Sequence, residues 1–287
     1  MFDRAFQTQK YDASECTFTN LYMWRNAYDI RWDVVNGLLV TTMTWEGETF
    51  FLPPYGVYGD IAGTLQVMLD YCQNADIKFL IKGVCTSHVK PFEEAMPGKL
   101  EFTLDRDNYD YVHLTQELIE LKGRKYSHKK NHMHYFLNHY SDYQFRQLSS
   151  ELTPACIEVA REWLEKKAEN GEADTFLQYE LDSITDCLLH FDELKLRGGA
   201  ILIGGKVQAF SFGEPLNSEM LVIHTEKANS DIRGLFQVIN HDCCRLCWPE
   251  FKYVNREEDM GIPGLRKAKE SYRPLRLIEK YDVCLKE

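Results

Sequence analysis

The sequence lacks long apolar runs and is short of positive charge. No stretch approaches the roughly 20 apolar residues that a membrane-spanning helix requires, so we expect no transmembrane segment. Residues 1–4 are not followed by the apolar core of a secretory signal. Lys and Arg total 33 against 44 Asp and Glu, a net charge of -11, which argues against a general binder of nucleic acid or anionic membranes. Any anion must therefore bind to a local basic patch.

The sequence also lacks the motifs of several common enzyme classes. It has no GxxxxGK[ST] phosphate loop, no H-E-x-x-H zinc motif and no G-x-S-x-G nucleophile motif. The nine cysteines are odd in number and scattered, which is typical of reduced thiols, so we expect a cytoplasmic protein. Cys243 and Cys247 lie one helical turn apart without a second CxxC pair, which favours buried thiols over a metal site.

The order of predicted elements indicates an α/β (α+β) chain. The first half contains a hairpin (37–52), a helix (61–72) and a short strand (78–81). The second half adds helices at 156–167 and 176–189, a hairpin at 200–212 around Gly204-Gly205, a strand at 220–225, a helix at 235–247 and strands at 251–254 and 275–285. Each half has a hairpin, a helix and a further strand in the same order. We predict two related domains, 1–105 and 106–287.

The segment 121–141 is unusual because it carries no acidic residue in an acidic chain. Its basic and polar candidates for binding an anion are Lys122, Gly123, Arg124, Lys125, Lys129, Lys130, Asn131 and His132. The helical spacing of Met133, Phe136, Leu137 and Tyr140 predicts an amphipathic helix with these four side chains facing inward. Backbone N–H groups at its start, together with the lysines, would favour a phosphate or a carboxylate.

Two other interpretations of this segment, a solvated helix face and a metal site, compete with anion binding. Charge runs of this kind usually form a solvated helix face. His128 and His132 have the i, i+4 spacing of zinc ligands, but no Glu lies between them in an H-E-x-x-H pattern, so we predict no metal site.

A second unusual segment runs from residue 253 to 274. It crosses an acidic cluster, turns at two glycines and a proline, and enters a short basic helix. Carboxylates beside cations could orient an amine nucleophile and stabilise an oxyanion. Favourable placement of charges along a helix dipole explains the same charges, but it does not explain the glycines and the proline. The predicted loop and pocket residues are Asn255, Gly261, Gly264 and Tyr272.

Both segments resemble one family. L-K-G-R-K-Y-S-H-K-K-N-H at 121–132 and N-R-E-E-D-M-G-I-P-G-L-R-K-A-K at 255–269 are similar to segments of proteins related to the C-terminal domain of phosphatidylglycerol lysyltransferase. F-T-N-L-Y-M-W at 18–24 is also typical of its soluble members. The resemblance covers essentially the whole chain.

The resemblance implies two tandem GNAT-like (acyl-CoA N-acyltransferase) domains, each a mixed central sheet flanked by helices, akin to the Fem-type aminoacyl transferases. In the better-known members an aminoacyl group passes from a tRNA ester to a lipid hydroxyl. The membrane region of the lysyltransferases is missing here, which weakens the case for a phospholipid acceptor. The GNAT coenzyme A loop is degenerate: among residues 231–236 only Gly234 fits, and Asp231 would repel a pyrophosphate.

We therefore predict an acyl- or aminoacyltransferase with an anionic, phosphate-bearing donor, either aminoacyl-tRNA or acyl-coenzyme A. The acceptor, a small molecule, lipid or peptide, stays open. The residues predicted to carry the chemistry are Glu257, Glu258 and Asp259, which would orient or deprotonate the acceptor, and Arg266 and Lys269, which would stabilise the oxyanion. The alternatives are a coenzyme A-dependent N-acetyltransferase and a non-catalytic binder of tRNA or another anion.

Overall fold

The computed structural model describes residues 1–7, 10–56, 58–171 and 175–286. The helices are α1 (Phe2–Gln7), α2 (Phe18–Trp24), α3 (Ile61–Ala75), α4 (Thr86–Ala95), α5 (Thr115–Glu120), α6 (Ser127–His139), α7 (Thr153–Glu169), α8 (Thr175–Leu189), α9 (Leu235–Leu246) and α10 (Pro263–Glu270). The strands are β1 (Arg31–Val35), β2 (Leu38–Trp45), β3 (Glu48–Phe51), β4 (Leu80–Cys85), β5 (Leu100–Leu104), β6 (Asp110–Leu114), β7 (Gln144–Gln147), β8 (Arg197–Ile203), β9 (Lys206–Pro215), β10 (Met220–Ala228), β11 (Tyr253–Asn255), β12 (Arg276–Ile278) and β13 (Lys280–Leu285).

The chain forms two compact units. The first comprises Met1–Asp110, Glu258–Arg266 and Leu277–Glu287, and the second comprises Tyr111–Glu257 and Lys267–Arg276. The chain crosses from the first unit to the second at residue 110 and twice contributes a later segment to the first unit. The assignment of domains 1–105 and 106–287 stays a prediction.

The first unit is built on a six-stranded sheet with the order β1-β2-β3-β4-β13-β5. Helix α3 follows the β2–β3 hairpin, and it begins where the Asp60 side chain accepts a hydrogen bond from the Gly63 N–H (2.9 Å). Its apolar residues recur with helical spacing and pack on the sheet: Leu65, Met68, Leu69 and Cys72. Strand β4 then pairs parallel with β3.

The second unit is built on a seven-stranded sheet with the order β12-β6-β11-β10-β9-β8-β7. Strands β7 to β10 pair antiparallel, α9 follows, and β11 returns parallel to β10. Each sheet therefore has antiparallel strands, a crossover helix and then a strand parallel to the last of them. The predicted fold class, α/β with two mixed sheets flanked by helices, is confirmed.

Helix α6 forms where the basic segment predicts a helix, but the predicted inward face is partly wrong. Phe136 is fully buried, whereas Leu137 is 38% exposed. Lys129 is buried instead, at 8% exposure. The buried face thus includes Lys129 and Phe136, which lie seven residues apart, because the lysine side chain packs against the ring of Tyr272.

Candidate active site

The candidate site lies in the second unit, where β10 and β11 stop pairing. The register of the two strands ends at Val222 and Asn255, and β10 carries a bulge between Ile223 and Thr225. Bulges often adjoin active sites because they redirect a side chain, and ligands often bind at the carboxyl ends of parallel strands. The residues just beyond the paired region are therefore the first candidates for chemistry.

Two ion pairs join β10 to the residues that follow β11. His224 Nδ1 donates to Glu257 Oε1 at 2.9 Å, and Arg256 Nη2 donates to Glu226 Oε1 at 3.1 Å. Asn255 stabilises this turn, because its side-chain oxygen accepts a hydrogen bond from the Glu257 N–H at 2.7 Å. Consecutive residues 256 and 257 thus present a cation and an anion to the same strand.

A cluster that we call the buried cation site consists of Lys129, Glu226, Asn240, Arg256 and Tyr272. The Lys129 ammonium lies 3.8 Å from the centre of the Tyr272 ring, and the Arg256 guanidinium lies 4.7 Å from it. Both cations use the negative face of one aromatic ring. The two unusual sequence segments meet at this ring.

The buried cation site is short of hydrogen-bond partners. Asn240 Nδ2 donates to Glu226 Oε2 at 3.0 Å, so both oxygens of the only carboxylate in the cluster are used. In the described part of the chain, Arg256 Nη1 and Asn240 Oδ1 are buried without a partner, and the Lys129 ammonium makes no hydrogen bond. Two cations facing one carboxylate, with unused donors, form a site suited to an anion or to an oxygen that develops negative charge.

The electrostatics of Lys129 follow from this environment. Burial, followed by the positive charge of Arg256, lowers the pKa of Lys129 from 10.5 to about 8, against the opposing effect of Glu226. Burial also opposes the charge of Arg256, but Glu226 and Tyr272 outweigh it and raise the pKa of Arg256. Arg256 therefore keeps its charge, while Lys129 exchanges its proton near neutral pH.

The second cluster, the histidine cluster, consists of His224, Glu214 and Glu257. The His224 side chain is completely buried, and its Nε2 donates to Glu214 Oε1 at 2.9 Å. Burial disfavours its charge, but the two carboxylates more than compensate and raise the pKa of His224 to about 9. An imidazolium that donates from both nitrogens holds Glu257 in place at a left-handed backbone position (φ +55°).

Asp259 and Arg266, two of the predicted catalytic residues, belong to a paired network in the first unit. The buried Asp259 carboxylate receives two hydrogen bonds from Arg266, at 2.9 and 2.6 Å, and one from Arg106 at 3.1 Å. Arg266 Nη2 also donates to Asp107 at 2.6 Å. Two arginines and two aspartates balance each other, and this geometry favours a structural role in fixing the loop.

Of four other predicted residues, three have contacts that support the structure and one, Gly264, does not. Lys269 Nζ donates to the Arg256 carbonyl oxygen at 2.6 Å and so fixes the backbone of the buried cation site. Gly261 adopts φ +70°, and an added Cβ would lie 2.8 Å from a carboxylate oxygen of Asp107. Gly264 has open space around it. Glu258 is half-buried in the first unit. Burial is the main cause that raises the pKa of Tyr28, and the negative charge of Glu258 raises it further.

The predicted anion-binding residues divide into one buried lysine and a set on the surface. Lys122 pairs with Glu120 at 2.6 Å, and Lys125 pairs with Glu117 at 2.9 Å. Gly123 has φ +87°, which allows the turn before α6. Of the others, Arg124 and Asn131 are exposed, whereas Lys130 and His132 are half-buried.

The loop before α9 occupies the place of the degenerate coenzyme A motif. A Cβ on Gly234 would lie 2.2 Å from the His132 carbonyl oxygen, so this glycine is required by the close approach of α6. Asp231 forms an ion pair with Lys166 at 2.5 Å, which offsets its charge. The single match to the motif therefore has a packing explanation.

Sequence reasoning missed several residues of these clusters. It did not single out Glu214, His224, Glu226, Asn240 or Arg256. Arg256 lies inside the second unusual segment and was the most accessible to sequence reasoning. His224 and Glu226 gave a weaker signal, as ionisable residues on an otherwise apolar strand. The predicted buried thiols are observed, since Cys243 and Cys247 lie in the core of the second unit.

Known proteins resemble the chain over its whole length. The sequence profile of "Phosphatidylglycerol lysyltransferase, C-terminal" matches residues 6–284. A conserved protein of unknown function from Bacteroides thetaiotaomicron is 34% identical, with a TM-score of 0.90 over 99% of this chain and 97% of that one. No curated protein sequence matches.

Two more distant structures share the fold. The C-terminal domain of a putative lysylphosphatidylglycerol synthetase from Agrobacterium fabrum has a TM-score of 0.65 at 12% identity, over 99% of this chain and 90% of that one. L-PGS from Bacillus licheniformis has a TM-score of 0.63 at 13% identity, over 89% and 84%. The fold defines an α/β protein with two mixed sheets flanked by helices. The chain belongs to the family of the phosphatidylglycerol lysyltransferase C-terminal domain. Within the described residues, no helix is both long and apolar enough to cross a bilayer.

Proposed function

We propose that this protein transfers an acyl or aminoacyl group from an activated donor to an amine or hydroxyl acceptor at the buried cation site. The observation that carries the proposal is the pair of neighbouring cations opposed by the single carboxylate of Glu226: Lys129, packed on the Tyr272 ring, and Arg256, whose buried Nη1 has no partner among the described residues. Membership of a family named for a lysyltransferase supports a transfer reaction. Acyl transfer passes through a tetrahedral intermediate with a negative oxygen, and this arrangement suits that oxygen.

In this mechanism the donor carbonyl oxygen accepts hydrogen bonds from the Lys129 ammonium and from Arg256 Nη1. The acceptor attacks the carbonyl carbon, and negative charge develops on the oxygen between the two cations. The bond to the donor's leaving group then breaks as that group takes up the proton removed from the acceptor, and the carbonyl re-forms. Asn240 Oδ1 is a free acceptor that can orient an N–H or O–H of the substrate.

The histidine cluster supplies the proton acceptor. Glu257 uses one carboxylate oxygen to bind His224, and its side chain is 20% exposed. The second oxygen of Glu257 is suited to receiving the proton of the acceptor. His224 is charged at neutral pH because its pKa is about 9, so it positions Glu257 and is not itself the base. Glu258, Asp259, Arg266 and Lys269 are placed outside the chemical step, where they support the loop.

The donor is expected to carry phosphates. The exposed Arg124 before α6 and the half-buried Lys130 on α6 would hold them. Aminoacyl-tRNA is the donor that we favour over acyl-coenzyme A, because Gly234 packs against His132 in the loop that corresponds to the coenzyme A motif.

Transfer assays with mass detection test this proposal. The full chain is incubated with mixed aminoacyl-tRNA or with acyl-coenzyme A, together with amine and hydroxyl acceptors. We expect product from one donor class, and a loss of about 100-fold or more in Lys129→Met, since removing one oxyanion donor costs about that much. Lys90→Met is the control, because Lys90 is 83% exposed and lies in the other unit. Full activity in Lys129→Met would overturn the assignment.

A further inference from the structure

Strand β1 forms one edge of the first sheet and is open to solvent. It is the last strand in the sheet order and pairs antiparallel with β2 on its inner side. Residues 31–34 are all exposed, with Trp32 at 50% and Val34 at 42%. In the described part of the chain, no backbone group outside the β1–β2 pair bonds to Trp32 or Val34. An open edge strand of this kind is a template for pairing with another strand.

The hydrogen bonds of β2 show which residues of β1 face the open edge. Leu39 exchanges two backbone hydrogen bonds with Tyr55 (2.9 and 3.0 Å), and the Thr41 carbonyl accepts one from the residue after β3 (3.0 Å). Leu39 and Thr41 therefore direct their backbone groups away from β1. Their partners in β1 are Val34 and Trp32, so these two residues direct their own N–H and C=O groups to the open edge.

An apolar patch lies beside this edge. The Trp32 ring lies 5.0 Å from the Phe2 ring, which in turn lies 5.3 Å from the Phe18 ring. Val34 shares the sheet face of Trp32, whereas Val35 points to the opposite face and packs on the core around α3. We call Phe2, Phe18, Trp32 and Val34 the edge patch. Three of its members are exposed, because Phe18 is also 37% accessible.

The charges on β1 select one way in which two copies can pair. A twofold dimer that joins the same edge of two sheets is antiparallel, and outward-facing residues must lie opposite each other. With Trp32 opposite the partner's Trp32, Arg31 of each copy faces the partner's Asp33, in the position where side chains are closest. With Trp32 opposite the partner's Val34, two copies of Asp33 face each other. With Val34 opposite the partner's Val34, Asp33 faces the partner's Val35 and no opposite charges meet.

We propose that β1 joins two copies of this chain into a dimer with one continuous sheet, with Trp32 at the twofold axis and Arg31 paired with the partner's Asp33. The Trp32 N–H of each copy donates to the partner's Trp32 carbonyl oxygen. The two edge patches lie side by side, because an axis perpendicular to the sheet keeps its faces. Charges on an edge usually prevent pairing, but here the signs at positions 31 and 33 are complementary. The inference goes beyond the proposed function, because β1 belongs to the first unit and the candidate site to the second.

Sedimentation velocity of the full chain over a concentration series tests the inference. We expect the wild type to be dimeric at about 100 μM. Asp33→Arg and Arg31→Asp each place like charges opposite each other in both symmetric pairs, so each should weaken the dimer about tenfold or more. Trp32→Ala should weaken it about 30-fold, as expected for a central aromatic residue of an interface. Lys90→Glu is the control, since Lys90 is 83% exposed on α4 of the same unit, and it should leave the affinity unchanged.

Mixing the two charge variants is the sharpest measurement. A heterodimer of the Asp33→Arg chain and the Arg31→Asp chain has opposite charges in both facing pairs. We therefore expect the equimolar mixture to dimerise at least as tightly as the wild type, although each variant alone is weakened. The double variant Arg31→Asp/Asp33→Arg should likewise stay within about threefold of the wild type.

Three results would overturn the inference. A wild type that stays monomeric at about 100 μM would make β1 a protected edge only. A dimer whose affinity does not respond to either single charge reversal would associate through another face. A mixture no tighter than the separate variants would exclude the pairing of Arg31 with the partner's Asp33. Misfolding of a variant cannot imitate the expected result, because mixing two misfolded chains does not restore a dimer.

Discussion

Replacing Lys129 with methionine is expected to make the protein more stable and less active. Methionine has nearly the length of the lysine stem and can keep its packing against Tyr272. The substitution removes a buried positive charge. That charge makes no hydrogen bond among the described residues, and it lies close to a second cation. The native state therefore loses an unfavourable interaction, while the proposed site loses one of its two cations.

The magnitude follows from the pKa of Lys129. Its pKa falls from 10.5 to about 8 on folding, and one pKa unit corresponds to about 1.4 kcal/mol, so the charge destabilises the native state by about 3 kcal/mol at pH 7. Because the folded pKa is the lower one, the unfolded state binds more protons between pH 8 and 10.5. The penalty is fully present below about pH 8 and fades as the pH rises to about 10.5.

Urea unfolding at two pH values measures this effect. We expect Lys129→Met to raise the free energy of unfolding by about 2 to 3 kcal/mol at pH 7, and by less than about 1 kcal/mol at pH 10. Lys122→Met is the matched control, and we expect it to change stability by less than about 0.5 kcal/mol because Lys122 is exposed. The difference in the free energy of unfolding between each variant and the wild type cancels the contributions of the other groups that titrate at high pH.

The reasoning about Lys129 would be refuted by a destabilised Lys129→Met, or by a gain that does not depend on pH. Either result would mean that the ammonium is satisfied in the native state. An active Lys129→Met with the expected gain in stability would separate the two claims. The burial argument would then stand, and the catalytic assignment would fail.

Three further substitutions test the rest of the structure by urea unfolding. His224→Asn should cost about 3 kcal/mol below pH 6.5, and the loss should vanish above about pH 9, since the raised pKa of His224 stabilises only the protonated state. Gly234→Ala should cost more than about 2 kcal/mol, whereas Gly205→Ala, also at positive φ but with open space, should cost about 1 kcal/mol. Asp259→Asn should cost about 1.5 to 3 kcal/mol, because the buried carboxylate loses its charge-assisted hydrogen bonds to two partly exposed arginines. A pH-independent His224 effect, equal glycine effects or a neutral Asp259→Asn would each contradict the corresponding contact.

Local patterns predicted the elements of the fold well. The Gly204-Gly205 hairpin and the helix at 235–247 depend on residues close in sequence, and both form as β8–β9 and α9. The repeated order of hairpin, helix and strand also predicted the two related sheets. These features are accessible to sequence reasoning because turn chemistry and apolar periodicity are local.

The candidate site was harder to predict because its members come together only through the sheet. His224 meets Glu214 across two neighbouring strands and Glu257 beyond a third. Lys129 stood out as one charge among several, but its burial depends on the position of the Tyr272 ring, 143 residues later in the sequence. Charge and motif identify such residues as candidates, whereas only the packing separates a buried lysine from the exposed ones beside it.

The contrast between two charged clusters is the strongest argument for function. Around Asp259, cations and carboxylates are equal in number and make short hydrogen bonds, so stability alone explains the cluster. At the buried cation site, Lys129 and Arg256 share the one carboxylate of the cluster, that of Glu226, and two polar atoms have no partner among the described residues. Such an arrangement lowers stability, and proteins retain costly buried charges mainly where a ligand or a reaction uses them. A carbonyl oxygen that becomes negative during transfer would supply the charge that this site lacks.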